Sequence, residues 1–169
     1  MDALTDPETL RSRADVAFVE KPPEVHQDHY DLYDPIAGMA VAGVTDDDGR
    51  LLLLQLEDAP IPTMPYGKVS PGDDWVETVR EAVHDATDVA VTVDGVRRVR
   101  SGTYRSEDGE ETTGYDVVFA ASPESDRDCS EATGLSCQRE WSARWADPAG
   151  LDLPDAEGND VVADIRLFR

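Results

Sequence analysis

The stretch that most restricts what this chain can fold into runs from Met64 to Val91, MPYGKVSPGDDWVETVREAVHDATDVAV. It reads as a glycine-containing turn, an acidic knuckle and then one amphipathic helix. Val76, Val79, Val83 and Ala86 recur at three- and four-residue steps, which on an α-helix gives one face to bury. Glu77, Glu81, Asp85 and Asp88 follow a neighbouring stripe with the same spacing, so their carboxylates stack along one side. Same-sign neighbours destabilise a helix, and two readings account for them: a cation held between the carboxylates, or the solvated face of a very acidic protein. Composition alone favours the second.

The chain of 169 residues is long enough for one domain with a sizeable core. Its formal charge is -22, with Lys21 and Lys68 the only lysines among thirteen arginines and an excess of aspartate. No basic patch is present to neutralise a nucleic-acid backbone or an anionic membrane, so neither is expected as a partner. A small phosphorylated ligand stays compatible, because a bound cation or one arginine reverses the field inside a cleft. Cys129 and Cys137 form neither a CxxC nor a disulfide framework, no apolar run reaches membrane-spanning length, and the opening MDALTDPETL is acidic. A reduced, cytoplasmic protein is expected.

Residues 1–33 read as an arm with an edge strand over Ala14 to Glu20, and residues 34–169 as the domain proper. His26 and His29 invite a metal reading, but no cysteine cluster or third close histidine accompanies them, and a surface or outer-shell role is expected. Ile36 to Val44 and Leu51 to Leu56 are strands around a hairpin turn at TDDDGR, and the leucine run implies burial on both faces. DAPIPTMP is an irregular connector. Beyond the helix, Val89 to Val93 and Arg97 to Tyr104 are strands around a turn at Asp94-Gly95, and SEDGEETTG is a solvent-facing loop. Tyr115 to Ala121 is the central strand, SPESDRDCSEATG a surface insertion and Glu140 to Trp145 a further strand. Asp147-Pro148 opens a short turn. The terminal VVADIRLF fits a short helix or a strand equally.

This order of a strand, a hairpin, a leucine-rich strand, a Pro-Gly-rich loop and a carboxylate-bearing helix resembles the Nudix family, over about residues 34 to 166. PYGKVSPGDDWVETVREAVHDATDV is similar to its loop-helix-loop box: a glycine, five residues, an acid, seven residues, then Arg-Glu, an aliphatic residue, any residue, Glu-Glu, any residue, a glycine and an aliphatic residue. Without a gap, Gly67 takes the glycine and Asp73 the acid, while Glu81 and Ala82 fall on Arg-Glu. Val83 fits the aliphatic place, Asp85 and Ala86 stand for Glu-Glu, Asp88 replaces the glycine and Val89 closes the box. A second register, one residue shorter before the helix, makes Arg80-Glu81 the Arg-Glu pair and leaves Asp88 in the last aliphatic place.

The resemblance implies an α+β fold, an α/β/α sandwich with a mixed sheet, and divalent-metal-dependent hydrolysis of a nucleoside diphosphate linked to another moiety. Mg²⁺ or Mn²⁺ on the helix carboxylates would be the cofactor, with Glu81 and Asp85 as catalytic residues and Asp73, Glu81 and Asp85 as metal ligands. The box is degenerate, since Ala82 and Ala86 supply no ligand oxygen, so a noncatalytic module that binds a nucleotide or a protein is the rival reading. Gly67, Lys68 and Arg98 are the candidates to contact an anionic ligand. Lys68 can instead pair with the acidic helix, and Arg97, Arg98 and Arg100 can instead pair with carboxylates. Trp75 packs the helix start; Trp141 and Trp145 are core or line a base-binding cleft. A homodimer is compatible with how such domains pair. Acid spread through the whole chain reads as adaptation to a salt-rich cytoplasm, as in a halophilic archaeon.

Overall fold

A computed structural model describes residues 1–56, 59–124, 141–154 and 159–168. Its centre is a mixed sheet built on a long hairpin, β6 (Val91–Arg105) and β7 (Glu111–Pro123), joined by a turn in which Gly109 takes φ 88°. β1 (Ala17–Glu20) runs parallel to β6 on one side, and β2 (Glu24–Val25) continues that pairing further along β6. On the other side β3 (Gly38–Val44) runs parallel to β7, and β5 (Tyr66–Val69) closes the edge antiparallel to β3. The order is β1-β6-β7-β3-β5, which makes β7 central as its apolar run predicts. β4 (Leu51–Leu56) and β8 (Trp141–Ala146) form a separate antiparallel pair.

The alternation along the strands divides the interior into two layers. Ala40, Ala42, Val69, Val117 and Phe119 join Val79 and Val83 of α2 (Trp75–Thr87), while Val118 faces Ile165 of α3 (Asp160–Arg166) from the opposite side. Leu52 belongs to the first cluster and Leu51 and Leu53 to the second, so the leucine run is buried on both faces. α1 (Gln27–Tyr33) also lies on the α3 side, where the Tyr33 ring occupies the place a Cβ at residue 114 would need, 2.2 Å away. Gly114 is there because the ring must lie on bare backbone. Among the described residues no helix is long and apolar enough to cross a membrane.

Several expectations are corrected. Tyr66-Gly67 is strand, not turn: Val41 and Ala40 pair with it across the ladder. Val91 to Arg105 is one strand, because Asp94-Gly95 serves a bulge and not a reversal; the register shifts between Val93 and Gly95 and again between Val96 and Arg98. The turn at TDDDGR forms around Asp46, whose carboxylate accepts the amides of Asp48 and Arg50, but beyond the Thr45–Leu51 bridge β4 leaves β3 to pair with β8. The terminal segment is helical, with the Asn159 side chain accepting the Val162 amide and Val162 and Ile165 buried three residues apart.

The opening residues are held in place. Leu4 and Leu10 are buried in the main core, the Leu4 amide donates to Asp74 Oδ1 at 2.9 Å, and the Trp75 amide donates to the Leu4 carbonyl at 2.7 Å. Asp74 therefore does two things: it caps α2 by accepting the Val76 amide and it anchors the segment before β1. Trp75 is fully buried at the helix start, as expected. The polar segment expected as an insertion, with both cysteines, lies outside the described residues apart from its start, Ser122 to Glu124.

Candidate functional site

α2 meets the edge of the sheet at Gly67. A Cβ built there would lie 2.9 Å from the Ala82 methyl, so a small residue on the helix faces bare backbone on the strand. Beside this contact opens a cleft of about 350 Å³, bordered by Tyr66, Gly67 and Lys68 of β5 and by Thr78, Glu81, Ala82, Asp85 and Ala86 of α2. Glu81 and Asp85 are exposed, four residues apart, and neither forms an ion pair among the described residues. The rest of the acid stripe is engaged elsewhere: Glu77 lies 3.5 Å from Arg80, and Asp88 lies 3.6 Å from His84.

The structure thus brings Gly67, Lys68, Glu81 and Asp85 to one cleft. Lys68 is exposed at its rim and makes no ion pair among the described residues. Asp73 sits outside that lining, exposed in the turn before the helix, where its amide donates to the Ser70 carbonyl. Arg98 is on the other face of the sheet, 3.5 Å from Asp164 of α3. Trp145 packs partly buried against the main core and borders neither this cleft nor the cavity described next.

The backbone at the end of α2 bears on the two expected registers. Asp88 ends α2 in the left-handed region, φ 60°, and Val89 is buried. A left-handed cap is the place for the glycine of the pattern, and a buried valine is the place for its last aliphatic residue. Both features agree with the gapless frame, and Ala82 and Ala86 line the cleft.

A second cavity, about 370 Å³, lies across β5 on the α3 face, and Tyr66 borders both. Met39, Val41, Met64 and Val161 give it apolar walls, and at its floor is a charge cluster around Arg100, 5 % exposed. Arg100 Nη2 donates to Asp164 Oδ1, Nη1 lies 3.4 Å from Asp116 and Nε 3.6 Å from Asp160. The Tyr33 hydroxyl donates to Asp116 Oδ1 at 2.7 Å. Burial pushes the Asp164 carboxyl up to about 6 against the opposing pull of Arg100, and burial raises Asp116 as well. Burial alone would depress Arg100, but the three facing carboxylates outweigh it and hold the guanidinium charged.

This cluster was not anticipated as a site. Two signals in the sequence belong to it: Asp116, a lone acid inside the most apolar strand, and Arg98 and Arg100, which pair with carboxylates as one of the two expectations for them had it. The metal reading set aside for His26 and His29 gains the third donor it lacked: Glu24 joins them, with donor atoms all within 4.8 Å of one another, and the three could coordinate a divalent metal.

The donor chemistry of the α2 cleft suits a shared ion. Mg²⁺ keeps several waters and is ordinarily held by one or two carboxylates together with substrate phosphates. Glu81 and Asp85 meet that description. They are not a closed cage, because among the described residues the group of three such donors lying within 4.8 Å is Glu24, His26 and His29.

No protein-family model matches this chain, and no curated protein matches it. Solved structures do. A UDP-X diphosphatase superposes with a TM-score of 0.53 at 14 % identity over 79 % of this chain, which spans 61 % of that protein. The mutator MutT protein of Bacillus halodurans gives 0.52 at 23 % identity, covering 77 % of this chain and 78 % of that one. The dihydroneopterin triphosphate pyrophosphohydrolase of E. coli gives 0.51 at 15 % identity, covering 86 % and 97 %. The fold is Nudix-like: a mixed sheet between helices, with the box helix α2 on one face.

Proposed function

We propose that the chain is a Nudix-fold hydrolase, working with a reduced set of carboxylates on a nucleoside-diphosphate-linked small molecule. The observation that carries this reading is that Glu81 and Asp85 border the same cleft as Gly67 and Lys68. Glu81 and Asp85 would hold Mg²⁺ or Mn²⁺ jointly with the ligand's phosphates, and the ion, when bound, neutralises the diphosphate and activates water. Gly67 lets α2 approach β5 closely enough to form the cleft, and Lys68 adds a positive charge at the rim of an otherwise acidic wall. Tyr66, half exposed between the two cavities, offers a ring on which the nucleoside can stack as its far end enters the apolar pocket by Met39 and Val41. In this reading the partner is the small phosphorylated molecule, and nucleic acid and membrane are not partners.

A second reading is favoured by Ala82 and Ala86, which sit on the cleft wall where ligand oxygens are needed: the cleft binds the nucleotide-like molecule without cleaving it. Calorimetry with α,β-methylene-ADP, with and without Mn²⁺, tests what both share. Binding is expected to depend on Mn²⁺ and to weaken by more than about tenfold in the Glu81→Gln, Asp85→Asn double variant. Binding that needs no metal, or that the double variant leaves intact, overturns the cleft as the site. Slow Mn²⁺-dependent release of nucleoside monophosphate from a diphosphate-linked nucleoside then selects hydrolysis, and its absence selects binding alone.

A further inference from the structure

β2 lies beside Tyr104 and Arg105 at the end of β6, and the chain turns from it directly into α1, with His26 at the cap and His29 within the first turn. Three donor side chains from a short stretch thereby converge. The two imidazoles stack with centroids 3.9 Å apart and 20° between their planes, His29 Nδ1 lies 2.8 Å from Glu24 Oε1, and the Tyr104 ring meets His29 edge-on at 5.3 Å. None of the three donors borders either cavity, and the proposed chemistry does not use them.

We propose that Glu24, His26 and His29 bind a transition-metal dication of the Zn²⁺ class, and that this ion staples β2 and α1 to the end of the sheet. Two imidazoles and a carboxylate are donors that suit Zn²⁺, Ni²⁺ or Co²⁺, whereas Mg²⁺ takes oxygen ligands and water. A tetrahedral ion with donors at about 2.0–2.1 Å spaces them about 3.3 Å apart, so Nδ1 of His29 and Oε1 of Glu24 need open only slightly, while the stacked imidazoles must splay by side-chain rotation for their in-plane lone pairs to converge on the ion. The proton shared between them leaves to solvent as the metal enters. His26 Nδ1 accepts the His29 amide at a long 3.2 Å, and the metal competes for that lone pair. Three protein ligands leave a tetrahedral position for water, and the exposure of His26 keeps the site accessible. The effect reaches further, because α1 also carries Tyr33, which stacks on Tyr104 at 4.7 Å and holds Asp116 at the floor of the second cavity.

The test is Zn²⁺ titration of the full chain by calorimetry, with Co²⁺ absorption as a spectroscopic readout. One ion per chain is expected, undisturbed by millimolar Mg²⁺. Affinity should fall more than about tenfold in His29→Gln and in His26→Gln. It should be unchanged in His84→Gln, the remaining histidine, and in the Cys129→Ser, Cys137→Ser variant. Zn²⁺ should raise the melting temperature of the wild type but not that of His29→Gln, each compared with the same chain without added metal. Absence of Zn²⁺ binding overturns the proposal. So does binding that survives loss of both His26 and His29, or binding lost with the cysteines.

Discussion

Replacing Arg100 by methionine is expected to remove about 3–5 kcal/mol of folding stability, a large part of what a domain of this size has. The side chain is the one buried cation among the described residues, and three carboxylates converge on it. Methionine fills much of its volume but leaves Asp164 and Asp116 facing each other without a counter-charge, and a buried charge without a partner costs more than the pair ever contributed. The loss should depend on pH with a definite sign. Asp164 already titrates near 6 in the folded protein, above its unfolded value, so its contribution to stability is fully present below about pH 4 and is lost as pH rises through 6. Without Arg100 that elevation grows. Urea midpoints of variant and wild type should therefore approach one another as pH falls from 7 to 4. Adding Asp116→Asn and Asp164→Asn to Arg100→Met should recover most of the stability at pH 7. A loss below about 1 kcal/mol at pH 7, with no pH dependence, would show that the cluster is solvated.

The largest functional change is expected from putting carboxylates back. Ala82 and Ala86 line the cleft beside Glu81 and Asp85, where the proposed function would call for further ligand oxygens. Ala82 is half-buried and Ala86 buried, so Ala82→Glu extends readily from the cleft wall, whereas Ala86→Glu must reach the cleft opening to keep its carboxylate solvated. A completed oxygen set is worth several kcal/mol of charge stabilisation, which corresponds to at least about a hundredfold in Mn²⁺-dependent turnover. Release of nucleoside monophosphate measured across Ala82→Glu, Ala86→Glu and the pair should rise most in the pair. If the wild type already matches the pair, the alanines are no deficit and the cleft uses other groups.

The box helix was legible because its information is local: Val76, Val79, Val83 and Ala86 must share a face whatever they pack against. The same holds for the leucine run and for the apolar stretch that became β7. β5 was misread because Tyr-Gly-Lys-Val carries a turn-forming glycine, and only the pairing with β3 makes it a strand. The bulged β6 was misread for the same reason, since Asp-Gly marks bulges as well as reversals. Among candidate site residues, Gly67, Lys68, Glu81 and Asp85 are close in sequence or one helical turn apart, and proximity followed. Arg98 could not be placed, because its partner Asp164 arrives from a helix that lies across the sheet. The cavity around Arg100 needs β3, β6, β7 and α3 together, and no local pattern announces such a set.

The parallel pairing of β1 with β6 also orders events in time. A strand can join parallel to β6 only once the segment carrying Arg98 to Ser101 exists and is already held by β7, and closing so long a loop is costly in chain entropy. The hairpin of β6 and β7 closes over a few residues and forms first. β1 is thus expected to find its place after the hairpin, with Val16 just before it staying in water until then. Pulse-labelled hydrogen exchange during refolding should find the amides of 17–20 protected after those of 91–123; simultaneous protection would mean that the sheet assembles in one step.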